Sequence, residues 1–122
     1  MADTIAALAT APGTGGIAIV RVSGERAQEA LTTLVPDVKE WKSHQMMYGH
    51  VRWQDETVDE CMAVLMRAPR SYTREDVAEL HLHGGSWAAE RTLQILGTMG
   101  IRAAEPGEFT KRAFLNGKLG LT

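Results

Sequence analysis

The stretch "VAELHLHGGSWAAERTLQILGTMG", Val77 to Gly100, changes its hydrophobic period from two to about 3.6 midway. Ala78, Leu80 and Leu82 alternate with Glu79, His81 and His83, which predicts a strand with one apolar and one polar face. Gly84 and Gly85 permit a tight turn, and Ser86 is placed to cap a helix. Ala89, Leu93, Leu96 and Met99 then continue at helical spacing to Gly100. A strand running straight into a helix, each with a single apolar face, calls for a core shared by a sheet and a helical layer.

Upstream, Thr4 to Ala9 and Gly16 to Val22 are short apolar runs divided by Pro12, Gly13, Gly15 and Gly16, which predicts strand, loop, strand. In the second run Ile17, Ile19 and Arg21 share one face and Ala18, Val20 and Val22 the other, so an arginine joins an apolar face. Ser23 can cap a helix that begins near Gly24, carries Ala27, Ala30, Leu31 and Leu34 on its apolar side, and ends at Pro36. Met46 to Trp53 and Val58 to Arg67 read as a hairpin around the polar turn "QDET", closed by Pro69. Downstream, a short strand from Ile101 to Ala104 precedes a helix that starts at Gly107 or Glu108. That helix carries Lys111 and Arg112, breaks at Asn116-Gly117 and leaves Lys118 beyond the break. The expected fold class is α+β, a two-layer domain with a mixed β-sheet and about three helices.

With 122 residues, 44% hydrophobic and 23% charged, the chain has the make-up of one globular domain. Thirteen basic against fifteen acidic residues give a formal charge of −2, so no global basic field exists to drive unaided binding to nucleic acid. Cys61 is the single cysteine, which excludes an internal disulfide and a cysteine-based zinc cluster and suits a reducing compartment. No apolar run approaches the roughly 20 residues of a membrane span, and the start lacks a basic region ahead of its short apolar stretch. The expectation is a cytoplasmic protein with neither span nor signal peptide.

"GTGGIA", Gly13 to Ala18, fits the letters of a dinucleotide fingerprint, but a β-rich run follows where that motif needs a helix. "NGKLG" lacks the earlier glycine and the Ser or Thr of a phosphate loop, so a nucleotide triphosphate site is not expected in these residues. His81 and His83, with Glu79, could offer a metal two nitrogens and an oxygen, yet the same spacing suits a polar, partly solvated strand face, and no metal site is expected. Glu79 admits another role. A carboxylate fixed on a strand can accept two parallel hydrogen bonds from a ring edge bearing N–H and NH2, such as that of a pterin or guanine; the plain alternative is a solvated side chain. For Arg21 the plain alternative is a structural salt bridge, and for Lys118 a solvated post-helix lysine.

Taken together, "DTIAALATAPGTGGIAIVRVSG", "PRSYTREDVAELHLHGG" and "EPGEFTKRAFLNGKLGL" closely resemble the amino-terminal domain of the MnmE (TrmE) family of bacterial tRNA-modification GTPases, in the family's order and over nearly the whole chain. The resemblance implies a fold similar to the tetrahydrofolate-binding domain of the glycine-cleavage T-protein, acting as the folate-binding and homodimerisation module of a larger enzyme. It places that domain at 1–118 and the start of a connection to a helical and GTPase region at 119–122. It implies that the full-length enzyme works with the flavoprotein MnmG on carbon 5 of the wobble uridine of tRNA. The implied cofactor is a tetrahydrofolate derivative, 5-formyl- or 5,10-methylene-tetrahydrofolate. GTP, magnesium and potassium are expected only in the GTPase region, and no catalytic residue in this one.

The family's folate-contacting positions map onto Arg21 in "IAIVR", Glu79 in "VAEL" and Lys118 in "NGK", with Glu79 holding the pterin edge and the two cations meeting ligand oxygens. Two departures stand out: Gly120 where the family pattern has Asp, and Arg74 where it often has Gly. The alternatives are a dimerisation module with a vestigial pocket and a stand-alone folate-dependent aminomethyltransferase-like protein.

Overall fold

The computed structural model describes residues 2–10, 15–85 and 87–117. Its elements run β1 (Ile5–Leu8), β2 (Ile17–Ser23), α1 (Ala27–Leu34), β3 (Met47–Trp53), β4 (Glu56–Met66), β5 (Val77–His83), α2 (Trp87–Thr98), β6 (Arg102–Ala103) and α3 (Glu108–Leu115). The six strands form one sheet in the order β3-β4-β5-β2-β1-β6. Every pairing is antiparallel except β1 with β6, so the sheet is mixed, as the sequence predicts.

Strand alternation sorts the sheet into two faces. Ala18, Val20 and Val22 of β2, Ala63 and Leu65 of β4, and Ala78, Leu80 and Leu82 of β5 are buried in one cluster. The apolar sides of α1 (Ala27, Ala30, Leu31, Leu34) and α2 (Ala88, Ala89, Ile95, Leu96) close over that cluster. The opposite face carries Arg21 opposite Glu79, Ile19 opposite His81 and Ile17 opposite His83 in the β2–β5 register. Arg21 therefore lies on the outer face, not in the core, and Ile17 on that face is 59% exposed. The helix α3 stands on this outer side: the Tyr72 hydroxyl meets Thr110 Oγ1 at 3.1 Å, and Asn116 Nδ2 donates to the Thr73 carbonyl at 2.7 Å.

Several boundaries depart from the pattern reading. Ser23 does not cap α1, because it remains in β2 opposite Val77 and spends its hydroxyl on Thr73 Oγ1 and Glu75 Oε1, at 2.6 and 2.7 Å. The helix starts three residues beyond Gly24, and Thr4 Oγ1 accepts the Arg26 N–H at its threshold instead. The hairpin turn is only Gln54-Asp55, with Gln54 at φ 55°, so Glu56 and Thr57 of "QDET" already belong to β4. The Gly84-Gly85 turn is explained by proximity as well as freedom. A Cβ on Gly84 would sit 1.5 Å from the Gly15 carbonyl oxygen, while Gly85 takes φ 91°. Ser86 lies outside the described residues.

Candidate functional site

The β2–β5 register sets Arg21 and Glu79 directly opposite each other on the outer face. Arg21 Nε donates to Glu79 Oε2 at 2.9 Å, and Nη2 lies 2.9 Å from the same oxygen. His81, two residues along β5, puts Nε2 at 2.9 Å from Glu79 Oε1. A carboxylate only accepts, so His81 Nε2 carries the proton here. Burial pushes the Glu79 carboxyl upward, but the hydrogen bonds from His81 and Arg21 outweigh it and hold the group below its usual range. The Glu79 side chain is 15% exposed and that of Arg21 28%, so Glu79 is not the solvated side chain of the plain reading; the salt-bridge reading of Arg21 does hold.

The sequence gives no hint of the walls of this site, which come from far along the chain. The rings of Tyr72 and Phe109 each lie 6.0 Å from the Arg21 guanidinium carbon. Tyr72 sits in the loop between β4 and β5, and Phe109 in the first turn of α3. Both wall elements are pinned by Arg112, whose side chain is 8% exposed and whose guanidinium reaches Glu75, Asp3 and Glu108 at 3.0, 3.0 and 3.2 Å. Glu108 also takes Arg102 at 2.7 Å, and that hydrogen bond foremost holds its carboxyl down at about 2. These contacts tie β6, α3 and the loop into one unit beside Arg21.

Lys118, the third residue singled out by the sequence, lies outside the described residues, as do Gly120 and the 118/119 boundary. Arg74 has φ 64°, which explains why glycine suits that position. The two histidines do not act together: His81 turns to Glu79, while His83 Nδ1 meets Asp59 Oδ1 at 2.9 Å, a contact that raises the His83 pKa. Among the described residues no group of three or more His, Cys, Asp or Glu is arranged to hold a metal. An open groove of about 400 Å³ adjoins the site along the same face, lined by Ile17, Met46, Tyr48, Met62, His81 and His83 among others.

The arrangement offers a fixed anion with spare capacity. Glu79 Oε1 has one protein partner and a further lone pair, Oε2 takes both Nε and Nη2 of Arg21, and the Arg21 Nη1 group makes no bond to Glu79. Planar rings stand beside the pair, as a site for a flat heterocycle bearing both donors and acceptors requires.

Comparison with known proteins matches residues 4–118 to the family model described as GTP-binding protein TrmE N-terminus. Among curated relatives, the tRNA modification GTPase MnmE of Lactiplantibacillus plantarum is 51% identical over 124 residues, covering 98% of this chain and 27% of the relative. The protein of the same name from Synechococcus sp. (strain WH7803) is 52% identical over 128 residues, covering 99% and 28%. That from Roseiflexus sp. (strain RS-1) is 54% identical over 122 residues, covering 98% and 26%. The chain thus spans about a quarter of the length of the curated relatives it matches.

Proposed function

The chain belongs to the TrmE N-terminal family, and from that membership we propose that it is the tetrahydrofolate-binding and homodimerising domain of a GTPase that modifies tRNA. The supporting observation is the Glu79 carboxylate, part-buried, held ionised by Arg21 and His81, and flanked by Tyr72 and Phe109. In this reading Glu79 accepts the N–H and NH2 donors of a pterin edge, one through the free lone pair of Oε1 and one at Oε2 in place of an Arg21 donor. Arg21 turns Nη1 to a ligand oxygen, and Lys118 supplies a second cation. The folate, when bound, supplies a one-carbon unit; this chain's own residues bind and orient it.

The same proposal includes kinship of fold with the glycine-cleavage T-protein folate domain, a cytoplasmic setting, and work of the whole enzyme with MnmG on carbon 5 of the wobble uridine. Among the described residues no helix is long and apolar enough to cross a membrane. Homodimerisation draws support from the exposed apolar side chains of the outer face, Ile17, Met46, Tyr48 and Met62.

The test is calorimetric titration of the chain with 5-formyltetrahydrofolate, with GTP in parallel. Saturable heat with the folate and none with GTP is expected, since these residues contain no phosphate loop. A flat folate titration on folded protein removes the folate reading. It would leave a dimerisation module, a reading favoured by one observation: Arg21 and Glu79 already satisfy each other.

A further inference from the structure

The loop between β4 and β5 engages its acids and leaves its arginines exposed. Glu75 takes the Arg112 guanidinium and the Ser23 hydroxyl, and Asp76 Oδ1 accepts the Ala68 N–H at 2.8 Å. Its arginines, Arg67, Arg70 and Arg74, are exposed. The arginine ion pairs among the described residues use Arg21, Arg26, Arg52, Arg91, Arg102 and Arg112, and none of these three loop arginines. The loop is braced against the rest of the molecule: the Ser71 hydroxyl donates to the Glu75 carbonyl, and the Arg70 carbonyl is met by His44 Nε2 at 2.8 Å. Arg70 and Arg74 line one concavity of about 620 Å³ together with Pro69, Ser71 and Tyr72. Its size is within the range of small-ligand sites. Tyr72 lines this concavity, and its ring neighbours Arg21.

We infer that this concavity is an anion subsite for the glutamyl tail of the folate, continuous past Tyr72 with the Arg21–Glu79 site. The inference rests on the folate reading above. A folate is a flat heterocycle joined through an aromatic ring to a glutamate, and γ-linked elongation adds one carboxylate per glutamyl unit. With the heterocycle on Glu79, the aromatic linker meets Tyr72 and the carboxylates reach Arg70 and Arg74. Guanidinium groups without a competing internal carboxylate are suited to receive them.

The experiment titrates the chain with 5-formyltetrahydrofolate as the monoglutamate and as the triglutamate. It is repeated for the double variant Arg70→Ala/Arg74→Gly, glycine being chosen because residue 74 has φ 64°. Two exposed ion pairs predict about ten-fold tighter binding of the triglutamate, an advantage that shrinks with added salt. In the double variant the two affinities should converge while the thermal melt stays unchanged. Equal affinities in the unsubstituted chain overturn the subsite alone. An advantage that survives the double substitution, or a variant that loses binding to an RNA oligonucleotide but keeps the tail preference, also overturns it. Failure of both folates to bind the folded chain overturns the folate reading itself, and the subsite with it.

Discussion

Glu79 makes three contacts with two neighbours and has room for more, so its substitution separates two roles. Glu79→Gln keeps the shape but turns an NH2 toward the donors of a pterin edge, and 5-formyltetrahydrofolate binding by calorimetry should weaken by about 2–4 kcal/mol. Stability should fall by only about 1 kcal/mol in urea denaturation, the scale of one part-buried ion pair. Unchanged folate affinity would take Glu79 out of the site. Arg74 offers a backbone counterpart. At φ 64° a β-branched side chain is strained, so Arg74→Val should lose about 1–2 kcal/mol. Arg74→Gly should stay within about 0.5 kcal/mol of the parent, because relief of strain is offset by a freer unfolded chain. The faces on which Arg21 and Glu79 lie are legible in sequence, since alternation fixes them. Their contact is not, because it joins positions 58 residues apart and depends on the β2–β5 register. Tyr72 and Phe109 are hidden for the same reason: no local period announces which ring will stand beside a distant guanidinium.

Apolar runs, alternation, helical spacing and break residues together find the strands and helices of the described residues, and the errors collect at boundaries where a distant partner takes a side chain. Ser23 has the look of a cap, but Thr73 and Glu75 claim its hydroxyl. The helix α3 is a clear case of an element whose position is electrostatic, because its buried residues are only Arg112 and Ala113. Glu108 in its first turn is held from an ordinary 4.5 down to about 2, chiefly by the hydrogen bond from Arg102. A carboxylate depressed in the folded state stabilises above its unfolded value and loses that contribution as pH falls through the folded one. The melting temperature should therefore drop between pH 4.5 and 2, and Glu108→Gln should show a smaller drop across that window while starting lower at pH 7. Parallel melting curves for the two proteins would mean that α3 is not anchored through this carboxylate.

At the scale of the whole molecule, one face of the sheet is closed by α1 and α2 and the other, among the described residues, is closed only at the α3 end. The open end exposes Ile17, Tyr48 and Met62 beside a groove, so light scattering should find a dimer at micromolar concentration without ligand. Met62→Glu, at a position 39% exposed, should yield a monomer with little change in melting. A wild-type monomer would remove the homodimer from the proposal. The Arg112 cluster has a consequence in time as well as in space. Its bond to Asp3 joins positions 109 residues apart, whereas β3 and β4 meet across a two-residue turn. The hairpin can form as soon as it has been synthesised, but the cluster must wait until nearly all of this sequence is available. The wall beside Arg21 is then among the last parts to assemble and the first to open. Arg112→Met should accordingly leave the refolding rate nearly untouched and raise the unfolding rate about 30-fold, equivalent to about 2 kcal/mol, in stopped-flow denaturant jumps. In the life of the chain, the β3–β4 hairpin exists before the site does.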